Sequence, residues 1–131
     1  MIDNFAIVFF MLSLTSLVFT GACITDTDTN KPVSRAKSQQ MADSFLRQKP
    51  TFSYDGMQET IQLQQTVALH CPHCWKFIYK FSCRHAGYGN RDGEILLQVI
   101  TPHIIEIAME QGRVTQAIID NTWDELYHKA L

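Results

Sequence analysis

The chain has 131 residues, a formal net charge of −2, 46% hydrophobic residues and four cysteines. Its 11 Lys and Arg residues are scattered rather than gathered into a run, which excludes the basic face of a nucleic-acid-binding protein. Asp3 is the only charged residue before Asp26, so removing residues 1–22 leaves a nearly neutral remainder of charge −1.

Residues 1–23 predict export. Met1–Asn4 precedes an uncharged apolar run from Phe5 to Phe19, and Thr20-Gly21-Ala22-Cys23 then supplies small residues before a cysteine. This arrangement resembles a bacterial lipoprotein signal, which implies cleavage before Cys23 and lipidation of that thiol. Two other outcomes fit the same residues. Thr20 and Ala22 suit an ordinary signal peptidase, and Phe5–Ile24 is about 20 residues long, enough to cross a bilayer uncleaved. All three place the remainder outside the cytoplasm, in the cell envelope, where thiols oxidise.

Residues 24–33 form a tether, because the polar stretch from Thr25 to Val33 has no large apolar group to offset the entropy of ordering. The folded part, residues 34–131, is long enough for one small domain with a modest core. A helix is predicted over Ser34–Gln48. Ser34 caps it, Met41, Ala42, Phe45 and Leu46 form its stripe, and Pro50 bars its continuation. Phe52–Gly56 is expected to be extended and to end in an Asp-Gly turn. Strands are expected over Ile61–Leu69 and Lys76–Cys83, the second with Phe77, Tyr79, Phe81 and Cys83 on one face.

His85–Gly93 is a glycine-rich loop, and Ile95–Ile100 is expected to be a strand stopped by Thr101-Pro102. Ile105–Met109 and Val114–Ile119 form a hairpin about Gln111-Gly112. Asn121 or Thr122 is expected to cap a last helix over Trp123–Ala130. The fold class is therefore α+β: an N-terminal helix on a mainly antiparallel sheet of about four or five strands, with a short C-terminal helix.

Between the first two strands lies Cys71-Pro72-His73-Cys74. The tetrad resembles that of periplasmic thiol-disulfide oxidoreductases of the thioredoxin superfamily. The resemblance implies Cys71 as attacking thiolate, Cys74 as resolving thiol and His73 as the group that tunes the thiolate. Thr101-Pro102 would be the cis-proline of that fold. Against this, Trp75–Cys83 has strand periodicity where a helix should follow the tetrad, and too little chain separates it from Pro102. The competing expectation is a disulfide that staples a turn between two strands. Zinc bound by Cys71, Cys74, Cys83 and His85 fails on reach, since nine residues of strand span roughly 30 Å and Zn–S bonds are about 2.3 Å.

The loop supplies the candidates for binding: His85, Tyr88, Arg91 and Asp92, with a small ligand or a protein as partner. Its glycines lack the dinucleotide-binding spacing, and Asp92 with Glu94 is too small a set for calcium. No motif calls for a cofactor or a metal. His70 and His103 have no recognisable catalytic context, and Trp123 and Phe45 suit core positions.

Four segments together resemble small uncharacterised prokaryotic envelope lipoproteins: residues 51–56 (TFSYDG), 85–91 (HAGYGNR), 99–103 (VITPH) and the stretch from Gly112-Arg113-Val114 to Trp123-Asp124. Asn90 stands where Asp is expected in that loop. The resemblance implies a lipidated domain anchored to a membrane, and no enzymatic mechanism. The sequence thus points to an exported, lipid-anchored protein that acts by binding or as a structural component. A membrane-tethered thiol-disulfide oxidoreductase is the alternative.

Overall fold

Ser34 opens the first helix as its sequence predicts. Its backbone is extended, and its Oγ accepts the Lys37 N–H at 3.2 Å, leaving α1 to run over Arg35–Gln48. The computed structural model describes residues 31–131. The export segment, Cys23 and the tether as far as Asn30 lie outside the described residues. Ser38, Ala42 and Leu46, four residues apart, form the buried stripe of α1, with Phe45 packed beside them. Met41, expected in that stripe, is 38% exposed at its margin.

Pro50 ends α1 but does not lead into an extended piece. Lys49 is held extended, as a residue before proline usually is. Pro50 then occupies the first position of a second helix, α2 (Pro50–Asp55), where its missing N–H is harmless. The expected Asp-Gly turn is thus replaced by a helix end, with the Gly56 N–H donating to Phe52 O.

Six strands follow: β1 (Gly56–Ala68), β2 (Cys74–Cys83), β3 (Thr101–Glu110), β4 (Arg113–Ile119), β5 (Trp123–Asp124) and β6 (Lys129–Ala130). Each pairs antiparallel with the next, giving one sheet in the order β1-β2-β3-β4-β5-β6. The alternation in β2 buries Phe77, Tyr79, Phe81 and Cys83 against the helices. Ile105, Ile107 and Met109 of β3 and Ala117 and Ile119 of β4 extend that face. Lys76 and Glu106 form a 2.9 Å ion pair on the opposite, open face. Gln111 and Gly112 both have positive φ, which matches the twist of a two-residue hairpin between β3 and β4.

Three expectations are corrected here. Strands take 44% and helices 20% of the described residues, so the fold is mainly antiparallel β, with six strands, one long helix and one short one. The C-terminal helix does not form. Asp120 and Asn121 adopt left-handed conformations that reverse the chain into β5, and His128 does the same before β6. Between them Asp124 Oδ1 accepts the N–H groups of Leu126 and Tyr127, closing a turn instead of starting a helix. Ile95–Ile100, finally, pairs with no strand of the sheet. Its periodicity satisfied the strand rule, but the sheet position beside β2 is taken by β3.

Candidate functional site

The tetrad occupies the turn between β1 and β2. Cys71 and Cys74 are joined by a disulfide with Cα atoms 5.4 Å apart, and His73 takes the positive φ that reverses the chain. The Leu69 N–H donates to Cys74 O and the Gln111 N–H to His73 O, tying this turn to the β3–β4 hairpin. Cys71 is exposed and Cys74 is buried. A cleft of about 360 Å3 beside the disulfide is lined by Glu110, Gln111, Arg113 and Thr115.

Strand β2 begins at Cys74, so no helix N-terminus faces Cys71 to hold a thiolate. Pro102 is trans and pairs with Ser82, at the far end of β2 and eight residues from Cys74. That separation is about 26 Å of strand. The disulfide thus closes the turn between two paired strands. Cys83 lies at the same distant end of β2, and no group of three or more His, Cys, Asp or Glu among the described residues could hold a metal.

The glycine-rich loop is organised from inside by Arg91, which is 1% exposed. Its guanidinium donates to the carbonyls of His85, Ala86, Gly87, Gly89 and Thr51 and to Asp55 Oδ1, the last at 2.8 Å. Asp55 also accepts the His85 N–H at 2.8 Å, and its Oδ2 lies 2.8 Å from His85 Nδ1. Burial alone would raise the Asp55 carboxyl, but the His85 hydrogen bond and the Arg91 charge outweigh it and hold the carboxyl below its usual range. The neighbouring Cys83 thiol is pushed up to about 12, by burial first and then by Asp55.

Of the other loop candidates, Tyr88 is half-buried and stacks on Trp123 with ring centres 5.8 Å apart. Its hydroxyl donates to Asp120 Oδ2, which also lies 2.6 Å from Nδ1 of the buried His103. Gly89 has φ +68°, and a Cβ there would sit 3.1 Å from the Trp123 ring, so this position requires glycine on both counts. Asp92 is exposed, and its N–H donates to Asn90 Oδ1. The structure therefore gathers His85, Tyr88 and Arg91 into the framework and leaves Asp92 outside it.

A second feature escaped the sequence. Helix α1 lies over β2 and β3, and β1, which packs with α2, runs past α1 as the first strand of the sheet. Between them is an open groove of about 730 Å3, floored by Ile61, Leu63 and Tyr79 and rimmed by Lys37, Asp43 and Arg47. Two irregularities leave residues 58–61 and Gln64 of β1 without register partners on β2. The Thr60 hydroxyl fills part of the first, donating to Met57 O and accepting the Ser82 N–H. Burial, with Asp43 adding to it, pushes the Tyr79 phenol up to about 12, and its hydroxyl donates to Gln39 O. The only signal in the sequence was a strand with Ile61 and Leu63 on one face and little else that is bulky.

Disulfide turn, internally braced loop and edge groove define a small antiparallel β protein with a helical layer on one face. No family model matches the chain, and no curated protein or solved structure matches it either.

Proposed function

We propose that the protein is exported, anchored to the envelope membrane through lipid on Cys23, and acts there by binding an extended polypeptide in the groove between α1 and β1. The groove is the observation that carries this reading. It combines the outer edge of the sheet among the described residues, a β1 made irregular at residues 58–61 and Gln64, and an apolar floor at Ile61 and Leu63. An extended chain laid along such an edge gains main-chain hydrogen bonds and places alternate side chains on the floor. The Cys71–Cys74 disulfide agrees with the extracytoplasmic address.

Two experiments on the full chain test this. Expressed in a bacterium, the wild type should incorporate an alkyne-tagged fatty acid and stay with the membrane, and Cys23→Ser should do neither. Persistent labelling of the variant overturns the anchor. A displayed library of random extended peptides, panned against purified protein in mild detergent, should enrich sequences with alternating aliphatic residues. Leu63→Glu should remove that enrichment. No enrichment, or enrichment indifferent to Leu63→Glu, overturns the groove.

A further inference from the structure

The His85 ring is held at only one of its two nitrogens. Asp55 Oδ2 accepts the His85 backbone N–H and lies 2.8 Å from Nδ1, while Asp55 Oδ1 accepts from Arg91. The Asp55 carboxyl sits below its usual range, so at neutral pH it is ionised and can only accept. Nδ1 therefore carries the proton of the neutral ring, and the lone pair is on Nε2. Nε2 has no hydrogen-bond partner among the described residues. The Asp55 side chain is 6% exposed and that of His85 28%. One edge of the ring thus rests on a buried carboxylate, and the other, with Nε2, meets a cleft of about 550 Å3. Ser53, Tyr54, Gly56 and Arg84 complete its lining. Arg91 lies 4.7 Å from the centre of the Tyr54 ring and fixes that wall. Because Arg91 also offsets Asp55, the charge the cleft presents is that of Arg84, which is exposed and forms no ion pair among the described residues.

We propose that this cleft hydrolyses small carboxylic esters bearing a negative charge, with His85 Nε2 as general base, Asp55 as its positioning residue and Arg84 as the contact for the charge. An imidazole fixed through one nitrogen by a third group, with the other nitrogen free, is the arrangement that proton transfer at a reacting centre requires. Bracing of the loop does not call for the imidazole, because the His85 backbone N–H and Arg91 already supply Asp55 with a donor on each oxygen. Nε2 accepts a proton from a water molecule as the water oxygen bonds to the ester carbonyl carbon. The tetrahedral intermediate then breaks its bond to the alcohol oxygen, which leaves with the proton returned from Nε2. The products are a carboxylic acid and an alcohol, and nothing is oxidised or reduced. The inference does not depend on export or on the α1–β1 groove.

The test uses full chain purified in mild detergent, with phenyl acetate and its anionic counterpart 4-acetoxybenzoate as probes. His85→Gln should lower kcat/KM for both by roughly a hundredfold. His70→Gln and His128→Gln, at exposed positions, should leave it unchanged. Arg84→Ala should raise KM for 4-acetoxybenzoate about tenfold and leave phenyl acetate alone. Long-range 1H–15N NMR of the wild type should show neutral His85 with its proton on Nδ1. In Asp55→Asn, Arg91 claims the amide oxygen and the NH2 group faces Nδ1. The His85 proton should then move to Nε2 and the rate should fall with it.

No hydrolysis above buffer, or a loss in His70→Gln or His128→Gln equal to that in His85→Gln, overturns the inference. So does a wild-type His85 with its proton on Nε2, a result that stands even if the His85 and Asp55 variants fail to fold. An Arg84→Ala protein that treats the two esters alike overturns the assignment of an anionic substrate.

Discussion

Glu125 caps the second helix at Thr51 from 74 residues away: its carboxylate accepts the Thr51 N–H at 2.9 Å and the Thr51 Oγ–H at 2.7 Å. Lys49, the residue before α2, offers no side chain to the free N–H groups of the first turn, so this buried carboxylate supplies the missing acceptor. The Trp123 Nε1–H donates to the same carboxylate at 2.7 Å, and Thr51 Oγ1 accepts the Gly89 N–H at 2.7 Å. One cluster thus joins α2, the glycine-rich loop and the C-terminal strands.

Glu125→Gln keeps the volume but replaces one acceptor oxygen by a donor aimed at other donors. It should lower unfolding free energy by about 1–3 kcal/mol, read from the midpoint of urea unfolding. Glu110→Gln, on an exposed strand end, should move it by less than about 0.5 kcal/mol. Equal effects at the two positions would remove the capping role.

Arg91 makes the loop rigid by serving six acceptors at once, one of them the buried Asp55. Lysine offers three donors from one point and cannot reproduce that fork. Arg91→Lys should therefore destabilise nearly as much as Arg91→Ala, by about 3–5 kcal/mol, because either leaves buried acceptors and a carboxylate short of a partner. A ligand-binding arginine would behave differently, with peptide affinity falling and the urea midpoint holding still.

These two residues show where the sequence stops being informative. The hairpin, the Ser34 cap and the apolar face of β2 rest on neighbours two to four positions apart, and each was legible. Helix α2 depends on a carboxylate 74 residues away, and the loss of the last helix depends on left-handed Asp120 and Asn121 and on where Glu125 is drawn. Arg91 shows the same limit in the site: a loop arginine looks like a contact for solvent or ligand until the fold wraps carbonyls around it. The edge groove was invisible because it depends on which strands α1 covers, a long-range property that local periodicity does not encode.

Asp55 gives the fold a defined acid dependence. Its folded carboxyl is held below the unfolded value of 3.8, so it favours the folded state at every pH above that value. The contribution disappears as pH falls through the lower folded value, where the unfolded chain has already taken up its proton. Stability should thus decline from about pH 4 downward. Asp55→Asn should flatten that decline as well as lower stability at neutral pH. Urea midpoints measured from pH 7 to pH 2 check this, and a variant with an undiminished acid slope would assign it to other carboxylates.

The disulfide turn can be separated from a redox centre by the same kind of measurement. Cys71 and Cys74 close a ring of four residues, and constraining so short a loop in the unfolded chain contributes about 2 kcal/mol. The double variant Cys71→Ser/Cys74→Ser should lose that amount and keep its peptide binding. Cys83 should stay silent in this experiment, since a buried thiol pushed up to about 12 carries almost no thiolate at neutral pH. Alkylation before and after unfolding should therefore find Cys83 only in the unfolded, oxidised chain, with Cys71 and Cys74 added on reduction. If the double variant is instead as stable as the wild type, and loses the ability to oxidise a dithiol peptide, the turn exchanges disulfides and the staple is the wrong account.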